Sequence, residues 1–142
     1  KQFSAAESPL QSEQLPGGTE HILFVDDELS IVKMQKRNLE RMGYTVTAMT
    51  SSRGVLETFG SAPASFDLVI TDMTMPDMAG DKLAQEVKNI RPDIPVILCT
   101  GFSEKIDSEK ALDFAIDGFL MKPVDKAKLA KTVRKVLHRG KK

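Results

Sequence analysis

Five short runs of apolar or β-branched residues recur along this chain, separated by stretches with helical spacing, and this alternation restricts the fold more than any other feature. Ile22-Leu23-Phe24-Val25, Leu68-Val69-Ile70, Val96-Ile97-Leu98-Cys99 and Phe119-Leu120-Met121 are continuously apolar, as strands covered on both faces are. The remaining run, over 44–49, alternates and is β-branched, which suits a pleated strand. Between the runs, residues 30–42 carry Ile31, Met34, Leu39 and Met42 as a helical face that Gly43 stops. Ser51 or Ser52 caps a helix to about Phe59, followed by a loop over 60–65. Residues 81–90 turn Leu83, Ala84, Val87 and Ile90 inward, and Ser103 opens a helix with Ile106, Ala111, Leu112 and Ala115 inward. Residues 124–138 carry Leu129, Val133, Val136 and Leu137 at helical spacing.

Five strands alternating with five helices require a parallel sheet, helices on both faces and right-handed crossovers. The predicted fold is α/β, a flavodoxin-like (βα)5 doubly wound sheet of strand order 2-1-3-4-5. With 142 residues, one domain is expected. Twenty basic and twenty acidic side chains balance, which argues against a dedicated nucleic-acid binder. No apolar run approaches the roughly 20 residues of a membrane helix, so no membrane insertion is expected. The lone Cys99 excludes an internal disulfide and reads as buried packing. His21 and His138 read as surface residues, and Met73, Met75 and Met78 as packing. Residues 1–20, rich in Gln, Ser, Pro and Gly, read as a linker or frayed arm, and 140–142 as a basic tail. The chain opens on Lys1 rather than methionine and is expected to be a fragment or a processed product.

The residues that end the runs carry the chemistry. The first strand ends in Asp26-Asp27, the third in Asp72, the fourth in Thr100 and the fifth in Lys122; the second ends in the chemically weak Met49-Thr50-Ser51. In the order 2-1-3-4-5 the second strand is an edge. The other four lie side by side and bring their marked residues to one shallow pocket, where open α/β sheets place chemistry. A carboxylate is costly in a core, so Asp72 belongs where its strand runs out. Met75-Pro76 breaks regular structure after it, and Gly80 supplies a flexible position before the next helix. Plainer readings stand beside these. Asp72 alone could be a turn residue, Asp26-Asp27 could cap the next helix, Lys122 could be a solvated lysine, Thr100 a strand-end hydroxyl and Phe119 core. Clustered carboxylates raise one another's pKa, and a hard divalent cation, Mg2+ or Mn2+, relieves them. Three carboxylates, one such ion and one lysine sum to zero charge, a site prepared to receive a phosphoryl group on an aspartate nucleophile.

In this order, Asp26-Asp27, Asp72-x-x-Met75-Pro76-x-x-x-Gly80, Thr100-Gly101 and Phe119-x-x-Lys122-Pro123 resemble the response-regulator receiver domain of two-component signalling. The resemblance covers about 21–138 and implies a receiver domain over 21–139. It implies that Asp72 is the phosphoacceptor, that Asp27, Asp72 and the backbone carbonyl of Thr74 bind Mg2+ directly, and that Asp26 acts largely through water. Lys122 would pair with the phosphoryl group, Thr100 and Phe119 would be the switch pair, and the Lys122–Pro123 bond would be cis. Thr74 and Phe102 sit where the family tunes dephosphorylation. The implied role is a bacterial, cytoplasmic signalling switch, with self-phosphorylation and autodephosphorylation chemistry rather than enzymatic turnover. Its implied partners are a sensor histidine kinase or histidine phosphotransfer domain, and a downstream partner on the face of helix four, strand five and helix five. A homodimer through that region is compatible with the family. Pro16-Gly17-Gly18-Thr19-Glu20 looks like the segment ahead of a receiver in a hybrid histidine kinase.

Three other functions are weighed against the switch. An aspartate-nucleophile phosphatase carries a second aspartate two residues on, where this chain has Thr74. A flavin or nucleotide site needs a phosphate-cradling loop after the first strand, and Asp26-Asp27-Glu28 is electrostatically the opposite. The alternative that retains the fold is a receiver-like scaffold that is not phosphorylated.

Overall fold

The computed structural model of the protein describes residues 16–101 and 116–140. Five strands, β1 (His21–Val25), β2 (Thr45–Met49), β3 (Leu68–Asp72), β4 (Val96–Thr100) and β5 (Gly118–Met121), form one parallel sheet. Their order is β2-β1-β3-β4-β5, the doubly wound order expected from the alternation. Four helices are described: α1 (Leu29–Arg41), α2 (Ser52–Ser61), α3 (Gly80–Ile90) and α4 (Lys126–Gly140). Phe102 and the helix expected over 103–115 lie outside the described residues, and so do 1–15 and 141–142.

Side-chain alternation along the central strands splits the core in two. Leu23, Val25, Val69 and Leu98 pack on one face with Val55 and Phe59 of α2 and Leu83 and Val87 of α3. Ile22, Phe24, Leu68, Ile70 and Ile97 pack on the other with Val32 and Leu39 of α1 and Leu129 and Val133 of α4. Both faces are covered, which is why these strands needed no polar alternation. Ser51 Oγ caps α2 by accepting from Gly54 N at 3.2 Å. Gly43, at φ 106°, makes the left-handed turn that ends α1.

Four expectations change. The inward stripe of α1 is Val32, Gln35 and Leu39, whereas Met34 is 46% exposed and Ile31 and Met42 are half-buried. The helix is rotated so that its 32-35-39 row meets the sheet. Ile90, in the last turn of α3, is 43% exposed beside Gly60 of α2. The loop over 60–65 is in part helical, because α2 runs to Ser61 and Pro63 then opens a 3-10 turn, Pro63–Ser65. His21 is half-buried and fully engaged: its ring meets Thr47 Oγ1 at 2.8 Å, the Ser65 carbonyl at 2.9 Å and the ring of Phe66. It joins β1, β2 and the turn before β3 at the end of the sheet away from Asp72.

The chain ahead of β1 is held against the fold from residue 17 onward. Gly18 N donates to the Met42 carbonyl at 3.2 Å, and Thr45 N donates to the Glu20 carbonyl at 3.0 Å. Arg134 of α4 donates to the Gly17 carbonyl at 3.1 Å and to both carboxylate oxygens of Glu20, at 3.1 and 2.7 Å. Arg134→Ala would remove two charge-assisted hydrogen bonds from the largely buried Glu20 carboxylate. The expected cost is about 1–2 kcal/mol in chemical denaturation, with faster amide exchange over 17–20.

Candidate functional site

Asp26 directly follows β1. Its amide donates to the Met49 carbonyl at 3.3 Å, and its Oδ1 accepts from Glu28 N at 2.9 Å. This Asx turn fixes the Asp26 carboxylate over the sheet end. Glu28 is the N-cap of α1 and makes no side-chain cap bond, so neither aspartate caps that helix from the cap position. Asp72 is the last residue of β3, paired in register with Cys99 and buried, at 3% exposure. Asp26 is buried as well and Asp27 is exposed. One carboxylate oxygen from each of Asp26, Asp27 and Asp72 lies within 4.8 Å of the others.

Lys122, one residue past β5, completes the group. Its ammonium pairs with Asp72 Oδ1 and stands 3.8 Å from Asp26 Oδ2. Apart from Lys122, the buried Oδ1 of Asp72 finds no hydrogen-bond partner among the described residues. Burial pushes the Asp72 carboxyl up to about 6; the Lys122 hydrogen bond pulls it down and the Asp26 charge pushes it further up. Burial raises Asp26 too, against the hydrogen bond from Glu28 N. Desolvation works to lower Lys122, but its hydrogen bond and ion pair with Asp72 win, so its ammonium is held more tightly than usual. Among the described residues, two buried carboxylates and one exposed one thus share the Lys122 ammonium. Three hard carboxylate oxygens gathered this closely, two of them on buried side chains, fit Mg2+, which needs few protein ligands because it keeps water.

The loop after Asp72 is pinned to the start of α2 by contacts that the sequence did not signal. Ser52 Oγ donates to the Met78 carbonyl at 2.8 Å, and Asp77 Oδ2 accepts from Ser51 Oγ and Arg53 N, both at 3.0 Å. The Arg53 amide, first among its donors, holds the Asp77 carboxyl below the usual range. An acid after a proline signals a turn, but nothing in the spacing says that its partners lie 24 and 26 residues upstream. Gly80 serves differently from expectation. Its N–H donates to the Met73 carbonyl at 2.7 Å, and a Cβ there would stand 2.2 Å from the Asp72 carbonyl oxygen and 2.7 Å from Leu98 Cδ1. Close approach, rather than flexibility, demands glycine. Gly80→Ala is expected to cost about 2–3 kcal/mol in urea denaturation, because backbone at Asp72 must move to admit the methyl group.

Thr100 ends β4, is buried, and lies opposite Met121 in register, while Phe119 lies opposite Leu98. Alternation puts Thr100 on the sheet face of Leu98 and half-buried Phe119. Lys122 N donates to the Thr100 carbonyl at 2.8 Å, and the Lys122–Pro123 peptide is cis. Thr74 is exposed on the loop two residues beyond Asp72. Cys99 is buried, and burial pushes its thiol up to about 12, so it packs and stays unreactive at neutral pH.

A doubly wound parallel sheet with a carboxylate cluster and one lysine at its carboxyl end defines the receiver-like class of α/β proteins. The chain belongs to the response regulator receiver domain family, whose model matches residues 22–134. It is 31% identical over 119 residues to a probable transcriptional regulator, ycf27, of Cyanidium caldarium, covering 84% of this chain and 47% of that protein. It is 33% identical over 122 residues to sensor kinase CckA of Brucella abortus, covering 86% of this chain and 13% of that one. The chain therefore spans about half or less of the length of these relatives. A response regulator receiver domain protein from Clostridium thermocellum superposes with a TM-score of 0.83 at 34% identity, covering 86% of this chain and 97% of that one. The family consists of two-component signalling switches rather than conventional enzymes. No helix among the described residues is long and apolar enough to cross a membrane.

Proposed function

We propose that this domain is a phosphoacceptor switch in which Asp72 takes a phosphoryl group from a phosphohistidine of a sensor kinase or phosphotransfer domain. The observation that carries this reading is the buried Asp72 carboxylate, served by one ammonium and flanked by two further carboxylates. A carboxylate oxygen of Asp72 attacks phosphorus as the phosphorus–nitrogen bond breaks, and the imidazole leaves with the bonding pair. Asp26, Asp27, Asp72 and the Thr74 carbonyl would hold Mg2+, which supplies Lewis-acid neutralisation of phosphoryl oxygens when bound. Lys122 exchanges its contact with Asp72 for one with the transferred group, so its charge stays compensated throughout. The hydroxyl of Thr100 donates to a phosphoryl oxygen, and Phe119, on the same sheet face, turns into the space that Thr100 leaves. That shift biases a pre-existing equilibrium read by a partner beside β5 and α4.

Incubation with acetyl phosphate, with and without Mg2+, followed by intact-mass spectrometry of wild type and Asp72→Ala tests the reading. A Mg2+-dependent gain of one phosphoryl group in wild type alone is expected. Labelling that persists in Asp72→Ala would sink the assignment. A folded wild type that neither labels nor binds Mg2+ would favour the unphosphorylated scaffold.

A further inference from the structure

A pocket of about 340 Å3 opens beside the acid cluster, between α1 and the connection from β5 to α4. Its floor is core: Phe24 of β1, Cys99 of β4 and Leu129 of α4, all buried. Its lip is Ile31 and Met34 of α1, and Met34 is the side chain found 46% exposed where an inward position was expected. Apolar surface left uncovered around an apolar cavity is the ordinary signature of a ligand site, and this volume is at the small end of the roughly 300–1,000 Å3 range. One end of the pocket is charged, lined by Asp26, Glu28 and Lys122. The Lys122 ammonium is already taken by Asp72, and Asp26 Oδ2 stands 3.8 Å from it, beyond hydrogen-bond reach. The acceptors left at that end are carboxylate oxygens, so its charge is net negative. Asp27, Asp72 and Thr100 lie outside the lining, and the pocket shares only Asp26 and Lys122 with the acid cluster.

We propose that this pocket binds a small organic ammonium compound, with a single-ring apolar body on Phe24 and Leu129 and its charged nitrogen on Asp26 and Glu28. Charge selects the head group, and the apolar walls select the body over a simple polyamine. Because Asp26 is shared, the ammonium and a metal ion on the carboxylate cluster compete, and by linkage each weakens the other by the same factor. The compound therefore holds back metal loading, a consequence that rests on the phosphoacceptor reading; the binding itself does not.

The test is a titration of the isotopically labelled chain with 2-phenylethylammonium chloride in Mg2+-free buffer, followed by amide and methyl NMR, with 2-phenylethanol as the uncharged control. Shifts confined to Phe24, Ile31, Val124 and Leu129 are expected, with Kd on the order of 1 mM and the alcohol about tenfold weaker. Ile31→Trp, which plugs the mouth from its exposed side, is expected to abolish the shifts while preserving the thermal midpoint and Mg2+ binding. Met34→Trp on the exposed lip serves if the first variant does not fold. A Mg2+ titration at saturating amine is expected to show an apparent Kd raised about fivefold. No shifts up to about 20 mM amine, equal affinity for amine and alcohol, or shifts elsewhere on the domain would overturn the proposal. If wild type binds no Mg2+ without amine, the metal reading fails and the direct titration alone decides the pocket.

Discussion

Asp72→Asn is expected to stabilise the metal-free protein by roughly 2–3 kcal/mol at pH 7.5, about 10 °C in thermal midpoint, while abolishing acetyl phosphate labelling. The reason is burial. The Asp72 carboxyl sits at about 6 in the folded chain against an ordinary value of 3.8, so ionised Asp72 opposes folding. The folded state binds the extra proton between about pH 4 and 6, so stability falls as pH rises through that window and the full cost stands above it. Asparagine mimics the protonated acid and carries no such cost. Its advantage over wild type is therefore expected to shrink as pH falls through 6 and to vanish near pH 4. Urea denaturation of both proteins from pH 4 to 8 checks this, and parallel pH profiles would show that Asp72 carries no such burden. Saturating Mg2+ is expected to stabilise wild type more than Asp72→Asn, because the ion binds the folded cluster and removes the same repulsion.

Lys122→Met is expected to destabilise metal-free protein by about 2–4 kcal/mol at neutral pH, the largest loss from any single change at this site. Asp72 and Asp26 would stay buried with no cation, and the partial exposure of Lys122 keeps the loss below that of a fully enclosed pair. Protonating the two carboxyls relieves the repulsion, so the loss is expected to diminish as pH falls below about 6 and to be partly recovered by Mg2+. The double variant Asp72→Asn/Lys122→Met should be more stable than Lys122→Met alone. A double-mutant cycle by denaturation measures that coupling, and strict additivity would mean that the two residues do not interact.

The strands and their order were legible because a sheet covered on both faces leaves continuous apolar runs in the chain. The acid cluster was legible because strand ends are sequence positions: once the order places β1, β3, β4 and β5 side by side, Asp26, Asp72, Thr100 and Lys122 must meet. Helix faces were less legible. Residues 31, 34, 39 and 42 and residues 32, 35 and 39 both make plausible stripes, and only the seating of α1 on the sheet chose the second. His21 lacked partners in its own neighbourhood because they come from β2 and from the turn before β3.

By itself, the sequence determined which residue types arrive at the carboxyl end of the sheet, since strand periodicity and crossover handedness leave almost no freedom there. It could not determine how those residues are solvated or what presses on them. That Asp72 is enclosed with one cation, that Gly80 is glycine because the Asp72 carbonyl leaves no room, and that Asp77 anchors its loop to α2 were decided by tertiary structure alone. Desolvation, steric clearance and long-range hydrogen bonds depend on atoms distant along the chain, and they become physical constraints only once the chain has folded.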